Sequence, residues 1–235
     1  MSSKTLTDHL VQLATPTPYS DAVNHPFLRS AGDGTLSNGL LSLWLSQDRI
    51  YAAHAYPRFI GALIASIPFD KSDGLKSARE AQNQRILKTL TFALENIVTE
   101  VGFFSETADT WRMELECWRE RKGTRDYVAE MDSISRGKQL DDGLVFLWAM
   151  ERVYLDAWSF VRAELEERGV GHDSPAAAFA KNWSSPEFQR FVNDLAGLVN
   201  ASKIEWERAE RIWARVVELE KDFWPSEREE SQMRI

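Results

Sequence analysis

The sequence contains one cysteine, Cys117, among 235 residues, so no disulfide bond can form within the chain. Residues 1–20 lack the apolar core of a secretory signal peptide. The longest apolar stretch, residues 59–67, is far shorter than the ~20 residues that a membrane-spanning helix needs. We therefore expect a cytoplasmic protein that does not associate with a membrane.

The sequence also has no excess of basic residues. Lys and Arg number 28 against 36 Asp and Glu, which gives a net charge of -8, and no segment concentrates the basic residues into a patch. Because nucleic-acid binding depends largely on such patches, we expect no nucleic-acid partner. Hydrophobic residues make up 43% and charged residues 27% of the chain, as in ordinary globular proteins. The length fits a single domain.

Glycine and proline are few, at 12 and 8 residues, and they separate long stretches of helical periodicity. No segment alternates like a strand, so the pattern predicts an all-α protein. Pro57 should kink the second predicted helix, and Gly169 and Gly171 should end the sixth. The predicted helices span residues 19–30, 38–66, 73–102, 105–121, 124–136, 140–168, about 184–200 and 203–224. We expect a loosely ordered segment at 1–17, a helical domain at 18–224, and a charged tail at 225–235 that frays.

Three of the predicted helices carry an acid at the centre of an apolar face, where residues recur every three or four positions. The acids are Asp48, Glu151 and Glu220. Their apolar and aromatic neighbours on the same faces are Leu41, Trp44, Leu45, Tyr51, Ala52, Ala55 and Phe59 for the first, Leu144, Leu147, Trp148, Tyr154, Leu155 and Trp158 for the second, and Trp213, Val216, Val217, Phe223 and Trp224 for the third.

A buried carboxylate without a partner is costly. For any one acid, an ion pair with Arg49, Arg152 or Arg215 explains the pattern as well as a ligand site does. Three inward acids together favour a polar pocket, because nearby like charges raise each other's pKa. A pocket walled by Trp and Tyr suits a flat, nitrogen-rich or cationic small molecule.

Other chemistries are less well supported by the residues. A di-iron bundle needs a Glu-x-x-His pair on two helices, and none of His9, His25, His54 and His172 lies three residues after a Glu. We therefore predict no metal. His25 could be considered a haem ligand, but we interpret it as a residue that packs or caps at a helix start. Cys117 lies among acids, which disfavour the reactive thiolate, so we interpret it as a packed thiol.

Several motifs resemble those of the TENA/THI-4 family. HPFL at 25–28, AGDGTL at 31–36, Trp44-Leu45 and Gln47-Asp48 are similar to its N-terminal signature. Tyr127, SSPEF at 184–188, and ELE at 218–220 followed by Phe223-Trp224 are similar to later elements of the family. The resemblance implies a haem-oxygenase-like helical bundle without haem, no cofactor, and a homo-oligomer such as a dimer or tetramer. Many members hydrolyse aminopyrimidines derived from damaged thiamin.

The chain departs from the better-known branch of that family at the nucleophile. Where that branch has a cysteine four residues before a tyrosine, this chain has Met150 before Tyr154, and methionine cannot act as the nucleophile. The neighbouring Glu151 resembles the cysteine-lacking, glutamate-containing branch found in eukaryotes. Trp183 stands where the cysteine branch tends to have a tyrosine.

These observations together predict a thiamin-salvage hydrolase that acts on an aminomethyl- or formylaminomethyl-pyrimidine. The residues expected to be catalytic are Glu151, Glu220 and Tyr154, and those expected to bind substrate are Asp48, Tyr51, Tyr127, Trp148, Trp183 and Phe223. Glu151 would act as general base or, as an alternative, as nucleophile. Two other interpretations stay open: a non-catalytic small-molecule binding protein of the same fold, and a carboxylate metal oxidase.

Overall fold

The computed structural model of the protein describes residues 4–170 and 173–235, and within these ranges the chain is helical with no β-strand. The prediction of an all-α single domain is confirmed. The helices are α1 (Leu6–Val11), α2 (Tyr19–Val23), α3 (Pro26–Gly32), α4 (Asn38–Ile50), a π-helical segment (Tyr51–Ala55), α5 (Tyr56–Ala65), α6 (Ala78–Trp111), α7 (Lys122–Gly137), α8 (Leu140–Arg168), α9 (Pro175–Trp183), α10 (Pro186–Ala201), α11 (Trp206–Phe223) and α12 (Glu230–Met233).

Helix α8 forms the centre of the bundle. Helices α3, α9, α10 and α11 all pack on it, and its buried residues are spread around its whole circumference, as expected for a helix in the core. Its bounds are those that the sequence predicts. Gly169 ends it with a positive φ of 64°, a conformation that glycine adopts without steric cost. Gly171 lies outside the described residues.

The predicted helix over 38–66 contains a defect at its middle. Pro57 has no N–H and cannot donate to the carbonyl four residues earlier. Immediately before it, the Tyr56 N–H bonds to the carbonyl of Tyr51, five residues back, and residues 51–55 form a π-helix. The expected kink at Pro57 therefore takes the form of a π-helical segment between α4 and α5.

Two predicted helices, at 73–102 and 105–121, are wrong in their bounds. A single helix, α6, begins after Ser77, whose side chain caps it, and runs unbroken through Gly102 to Trp111. Gly102 is exposed, so its weak helix propensity costs only ~1 kcal/mol and does not break a helix that packing stabilises. Arg112 then adopts a left-handed conformation with φ of 52°, and residues 112–121 are not α-helical.

The N-terminal segment is more ordered than expected. Within the predicted loose segment at 1–17, of which residues 1–3 lie outside the described residues, Thr5 and Asp8 form a capping box that starts α1. Leu10 is fully buried and anchors this helix to the core. The predicted helix at 19–30 is two helices, because Pro26 disfavours a helical backbone at the residue before it. His25 instead caps α3 through Nδ1, which accepts from the Phe27 N–H at 3.2 Å.

The C-terminal tail, which we expected to fray, is held against the rest of the protein. Glu229 accepts two hydrogen bonds from the Arg121 guanidinium, at 2.7 and 3.0 Å, and α12 follows. The Arg119 N–H bonds to the carbonyl of Met233 at 2.8 Å. The tail therefore docks on the loop at 112–121, which is a contact between distant parts of the sequence.

The remaining helices of the second half follow the sequence with small shifts. Helix α10 begins at Pro186 and is capped by Ser185, and α11 spans Trp206–Phe223 against the predicted 203–224. Helix α9 was not predicted. No helix in the described part of the chain is long and apolar enough to cross a bilayer.

Candidate active site

A small cavity lies between α4, the π-helical segment, α5, α6, α8 and α9. Its volume for water-sized molecules is about 20 Å³, which is enough for one ordered water. A pyrimidine ring is larger, so its entry requires side chains of the wall to move. The wall consists of Asp48, Tyr51, Ala52, Tyr56, Ala93, Asn96, Ile97, Glu100, Met150, Glu151, Tyr154 and Trp183.

The π-helical segment places two tyrosines in this wall. Tyr51 and Tyr56 are five residues apart, and in a regular α-helix such residues project about 140° from each other. The i to i+5 hydrogen bond of the π-turn brings them towards the same side. Their rings contact each other, with centroids 6.0 Å apart. The defect next to Pro57 is thus what gives the site both phenols.

Each of the three predicted acids accepts a hydrogen bond from a tyrosine on another helical segment. Tyr154 donates to Oδ1 of Asp48 at 2.9 Å. Tyr56 donates to Oε1 of Glu151 at 2.5 Å, and Tyr127 donates to Oε1 of Glu220 at 2.5 Å. These pairs join α4 to α8, α5 to α8, and α7 to α11.

The arginines adjacent to the acids do not pair with them. Arg152 pairs with Asp156 at 2.9 Å, Arg215 pairs with Glu130 at 3.0 Å, and Arg49 is exposed. Within residues 4–170 and 173–235, no basic side chain forms an ion pair with Asp48, Glu151 or Glu220. The ion-pair explanation of the inward acids is therefore not the one that the fold uses.

Burial without a basic partner favours the neutral form of these carboxyl groups. Burial raises the pKa of Glu151 from 4.5 to about 8, with smaller contributions from the charges of Glu100 and Asp48, and the Tyr56 hydrogen bond opposes the rise. Burial likewise raises the pKa of Glu220 to about 8, and the pKa of Asp48 lies well above its ordinary value. The site can therefore exchange protons near neutral pH.

A fourth acid, Glu100 on α6, lines the cavity and was not predicted. Its Oε1 accepts from the indole N–H of Trp183 at 2.6 Å and from the Asn96 amide at 3.3 Å. Burial raises its pKa to about 7. The sequence does hold a signal for it, since Ala93, Ile97, Glu100 and Phe104 follow a helical spacing and are all buried. The signal is weak because both aromatic neighbours on that face, Phe103 and Phe104, lie beyond residue 102, where the predicted helix ended.

The predicted site residues fall into three positions. Asp48, Tyr51, Glu151, Tyr154 and Trp183 line the cavity. Tyr127 and Phe223 lie behind Tyr51, with ring centroids 5.3 and 5.9 Å from its ring, and Glu220 is held there by Tyr127.

Trp148 lies elsewhere. It is buried against Trp213, with the two rings stacked at 5.3 Å, and it is not part of the cavity wall. Its predicted contact with substrate is therefore not supported by its location. Trp148 lies on the same helix face as Glu151, but such a face is wide enough to contact both the cavity and the core behind it.

The residues that we interpreted as structural lie outside the cavity. His25 caps α3, and its burial near Arg121 and Lys221 lowers its pKa to about 4. Cys117 is partly buried in the loop at 112–121, where its Sγ lies 3.7 Å from Oε2 of Glu114. Over residues 4–170 and 173–235, no group of three or more His, Cys, Asp or Glu side chains has the geometry to hold a metal ion.

Comparison with known proteins identifies the family of the chain. Residues 16–230 match the model of the TENA/THI-4/PQQC family. The chain belongs to this family. Nearly the whole helical bundle, including Asp48, Glu100, Glu151 and Glu220, falls within the match.

Solved structures show the same fold. A TenA homologue from Pyrococcus furiosus superimposes with a TM-score of 0.73 at 23% identity, over 88% of this chain and 92% of that chain. A candidate TenA-like thiaminase from Sulfolobus solfataricus superimposes with a TM-score of 0.65 at 16% identity, over 88% of each chain. The fold of the present chain is thus the haem-oxygenase-like fold of TenA-like proteins.

One curated relative is similar in sequence. It is a Fusarium pseudograminearum protein named "Probable transcription factor", 27% identical over 214 residues. The match covers 77% of this chain but only 42% of that protein. The chain therefore spans less than half the length of this relative.

Proposed function

We propose that the protein is a thiamin-salvage hydrolase that converts an aminomethyl- or formylaminomethyl-pyrimidine to a simpler pyrimidine. The observation that carries the proposal is the cavity itself: two of the predicted acids, Asp48 and Glu151, line one small space together with Glu100, and no basic side chain lies in its wall. Each of the two predicted acids accepts a hydrogen bond from a tyrosine. Family membership supports the same reaction class.

The chemistry of an aminopyrimidine fits these groups. Its ring amino group and ring nitrogens present N–H donors or, when protonated, a positive charge, and carboxyl groups accept both. In this proposal Asp48 holds that edge of the ring, and Glu220, which lies behind Tyr51, joins it when the wall side chains move to admit the ring. Tyr51 and Trp183 offer aromatic surfaces against which the ring packs.

Glu151 is the proposed general base. Met150 lies in the cavity wall beside it, and a thioether cannot form the covalent adduct that a cysteine forms. A direct attack by water, activated by Glu151, needs no such adduct. The carboxyl group with a pKa of about 8 has the proton affinity that removal of a proton from water requires.

Ammonia release from an aminomethyl-aminopyrimidine tests the proposal. The purified chain should release ammonia and form the hydroxymethyl product in equal amounts. A protein that binds the pyrimidine tightly in calorimetry but releases no ammonia or formate would instead be a binding protein. That second function is favoured by the presence of methionine at position 150.

Calorimetry after chelator treatment tests the metal alternative. The proposed hydrolase binds its pyrimidine equally well before and after chelation. Loss of binding that iron or manganese restores would support a carboxylate oxidase instead.

A further inference from the structure

The proposed hydrolysis leaves one chemical task without a residue. When water displaces the exocyclic nitrogen, the C–N bond breaks and its electron pair goes to the nitrogen. An amine leaves poorly as an anion, so a proton must reach that nitrogen from a general acid. Glu151 takes a proton from water at this stage and cannot be the same group.

We infer that Glu100 is this general acid, the residue that protonates the departing nitrogen. The inference rests on the proposed function. In the balanced step, the water oxygen bonds to the methylene carbon and the C–N bond breaks. One water proton passes to Glu151, and the proton of Glu100 passes to the leaving nitrogen. Proton exchange with solvent then restores both carboxyl groups.

The position of Glu100 supports this role. It lines the cavity together with Glu151, and it comes from α6, whereas Glu151 comes from α8. Glu220 is held by Tyr127 behind Tyr51, while Glu100 is held by Trp183, the tryptophan that packs on Tyr154 with ring centroids 5.2 Å apart. A pyrimidine bound in the cavity would therefore lie against Glu100 and Glu151 together.

The hydrogen bonds of Glu100 hold its carboxyl group in a fixed position. Trp183 and Asn96 both donate to Oε1, and the Asn182 side chain is a third hydrogen-bond partner of the carboxyl group. The Trp183 indole can only donate, which fixes the orientation of the carboxyl group whether or not it is protonated. The same tryptophan thus positions the acid through its N–H and forms part of the cavity wall.

The electrostatics allow the two glutamates to divide the roles. Burial raises the pKa of Glu100 to about 7 and that of Glu151 to about 8, and the charge of Glu100 contributes to the second rise. Because like charges oppose double ionisation, near neutral pH the pair populates states with one proton between them. Because Glu151 has the higher pKa, most of the singly protonated pair carries its proton on Glu151; the state that reacts is the less populated one, in which Glu100 carries the proton and Glu151 does not.

The test compares two leaving groups in the variant Glu100→Gln. Glutamine keeps the volume and the acceptor for Trp183 but carries no acidic proton. Ammonia release from the aminomethyl-aminopyrimidine should fall by ~10²- to 10⁴-fold. Fluoride release from the corresponding fluoromethyl-pyrimidine should change by less than about threefold, because fluoride leaves with little need of a proton donor. Glu95→Gln, an exposed position on the same helix, should leave both rates unchanged.

The outcomes separate this inference from the proposed function. Equal losses for both substrates, or no loss for either, would overturn the role of Glu100 while leaving the hydrolase intact. A wild-type chain that releases no ammonia would overturn the proposed function, and the role of Glu100 with it. If Glu100→Gln does not fold, Glu100→Asp is the second variant. Its side chain is one methylene shorter, which moves the acidic proton away from the leaving nitrogen, so ammonia release should still fall selectively. Unchanged ammonia release in this variant would count against the inference.

Discussion

The Tyr56 hydroxyl donates to Oε1 of Glu151 at 2.5 Å, although the two residues are 95 positions apart. Tyr56 reaches the carboxylate because the π-helical segment before it turns its side chain into the cavity. A hydrogen bond to a carboxylate stabilises its charged form, so this contact partly offsets the cost of burying Glu151. The defect in the α4–α5 helix and the proton affinity of the proposed base are therefore linked.

Replacement of Glu151 by glutamine tests the proposed base directly. The change keeps the volume and the acceptor for Tyr56 and removes the base, so we expect the maximal rate of ammonia release to fall by ~10²- to 10⁴-fold with little change in pyrimidine affinity. Steady-state kinetics and calorimetry measure both. Glu167→Gln, exposed on the same helix, is the matched control.

A purely structural Glu151 would behave differently. The rate per folded molecule would be unchanged and only the melting temperature would move. That pattern would falsify the catalytic role.

Replacement of Tyr56 by phenylalanine should shift the pH dependence of the reaction. The hydrogen bond from Tyr56 lowers the pKa of Glu151, so its loss should raise that pKa further above about 8. Because a general base acts when deprotonated, the rising limb of kcat/KM against pH should move to higher pH. Tyr19→Phe, which removes a hydrogen bond to Asp156 outside the cavity, should leave the limb in place. Coincident profiles for Tyr56→Phe and the parent chain would contradict the assignment.

Replacement of Glu220 by glutamine should weaken binding. Oε2 of Glu220 is buried and has no hydrogen-bond partner among the described residues, so it is free to accept from a ligand donor. Loss of a charge-assisted hydrogen bond should raise the Kd of an aminopyrimidine by roughly 10-fold or more. Calorimetry on Glu220→Gln and on Glu207→Gln, exposed on the same helix, gives the comparison. Equal affinities would remove Glu220 from the binding site.

The buried acids should make the protein less stable as pH rises through neutrality. Glu100, Glu151 and Glu220 have folded-state pKa values of about 7, 8 and 8, above their ordinary value of 4.5. Between those limits the folded chain binds more protons than the unfolded chain, so the free energy of unfolding decreases as pH increases. The melting temperature should therefore fall from about pH 5 to about pH 8.5.

A single variant checks the origin of this pH dependence. Glu151→Gln should flatten the fall, because glutamine does not ionise. The paired Glu229 has a lowered pKa and acts in the opposite sense, with stability lost only as pH falls into the acidic range. A slope unaffected by the glutamine change would show that other groups control it.

Alkylation of Cys117 should leave hydrolysis intact. The thiol lies in the loop at 112–121, outside the cavity wall, and its Sγ contact is with Glu114. Activity measured before and after treatment with iodoacetamide should agree, and Cys117→Ser should behave like the parent chain. Loss of turnover in a folded Cys117→Ser variant that still binds pyrimidine would mean that the nucleophile had been misassigned.

Much of the architecture follows from local sequence. The bounds of α8 at Leu140–Arg168 match the prediction because helical periodicity and the terminal Gly169 are local signals. The inward orientation of Asp48, Glu151 and Glu220 follows likewise from the residues on the same helix face. In each case the deciding interactions lie within a few turns of the residue concerned.

Other features depend on contacts with distant segments of the chain. The continuity of α6 through Gly102, the docking of Glu229 on Arg121 and the burial of Glu100 under Trp183 all arise from contacts between segments far apart in sequence. The pairing of each acid with a tyrosine rather than with its neighbouring arginine is of the same kind. A helix face tells which side chains point inward, but hydrogen bonds of 2.5 to 2.9 Å require a partner at a defined distance, and only the packing of the helices supplies one.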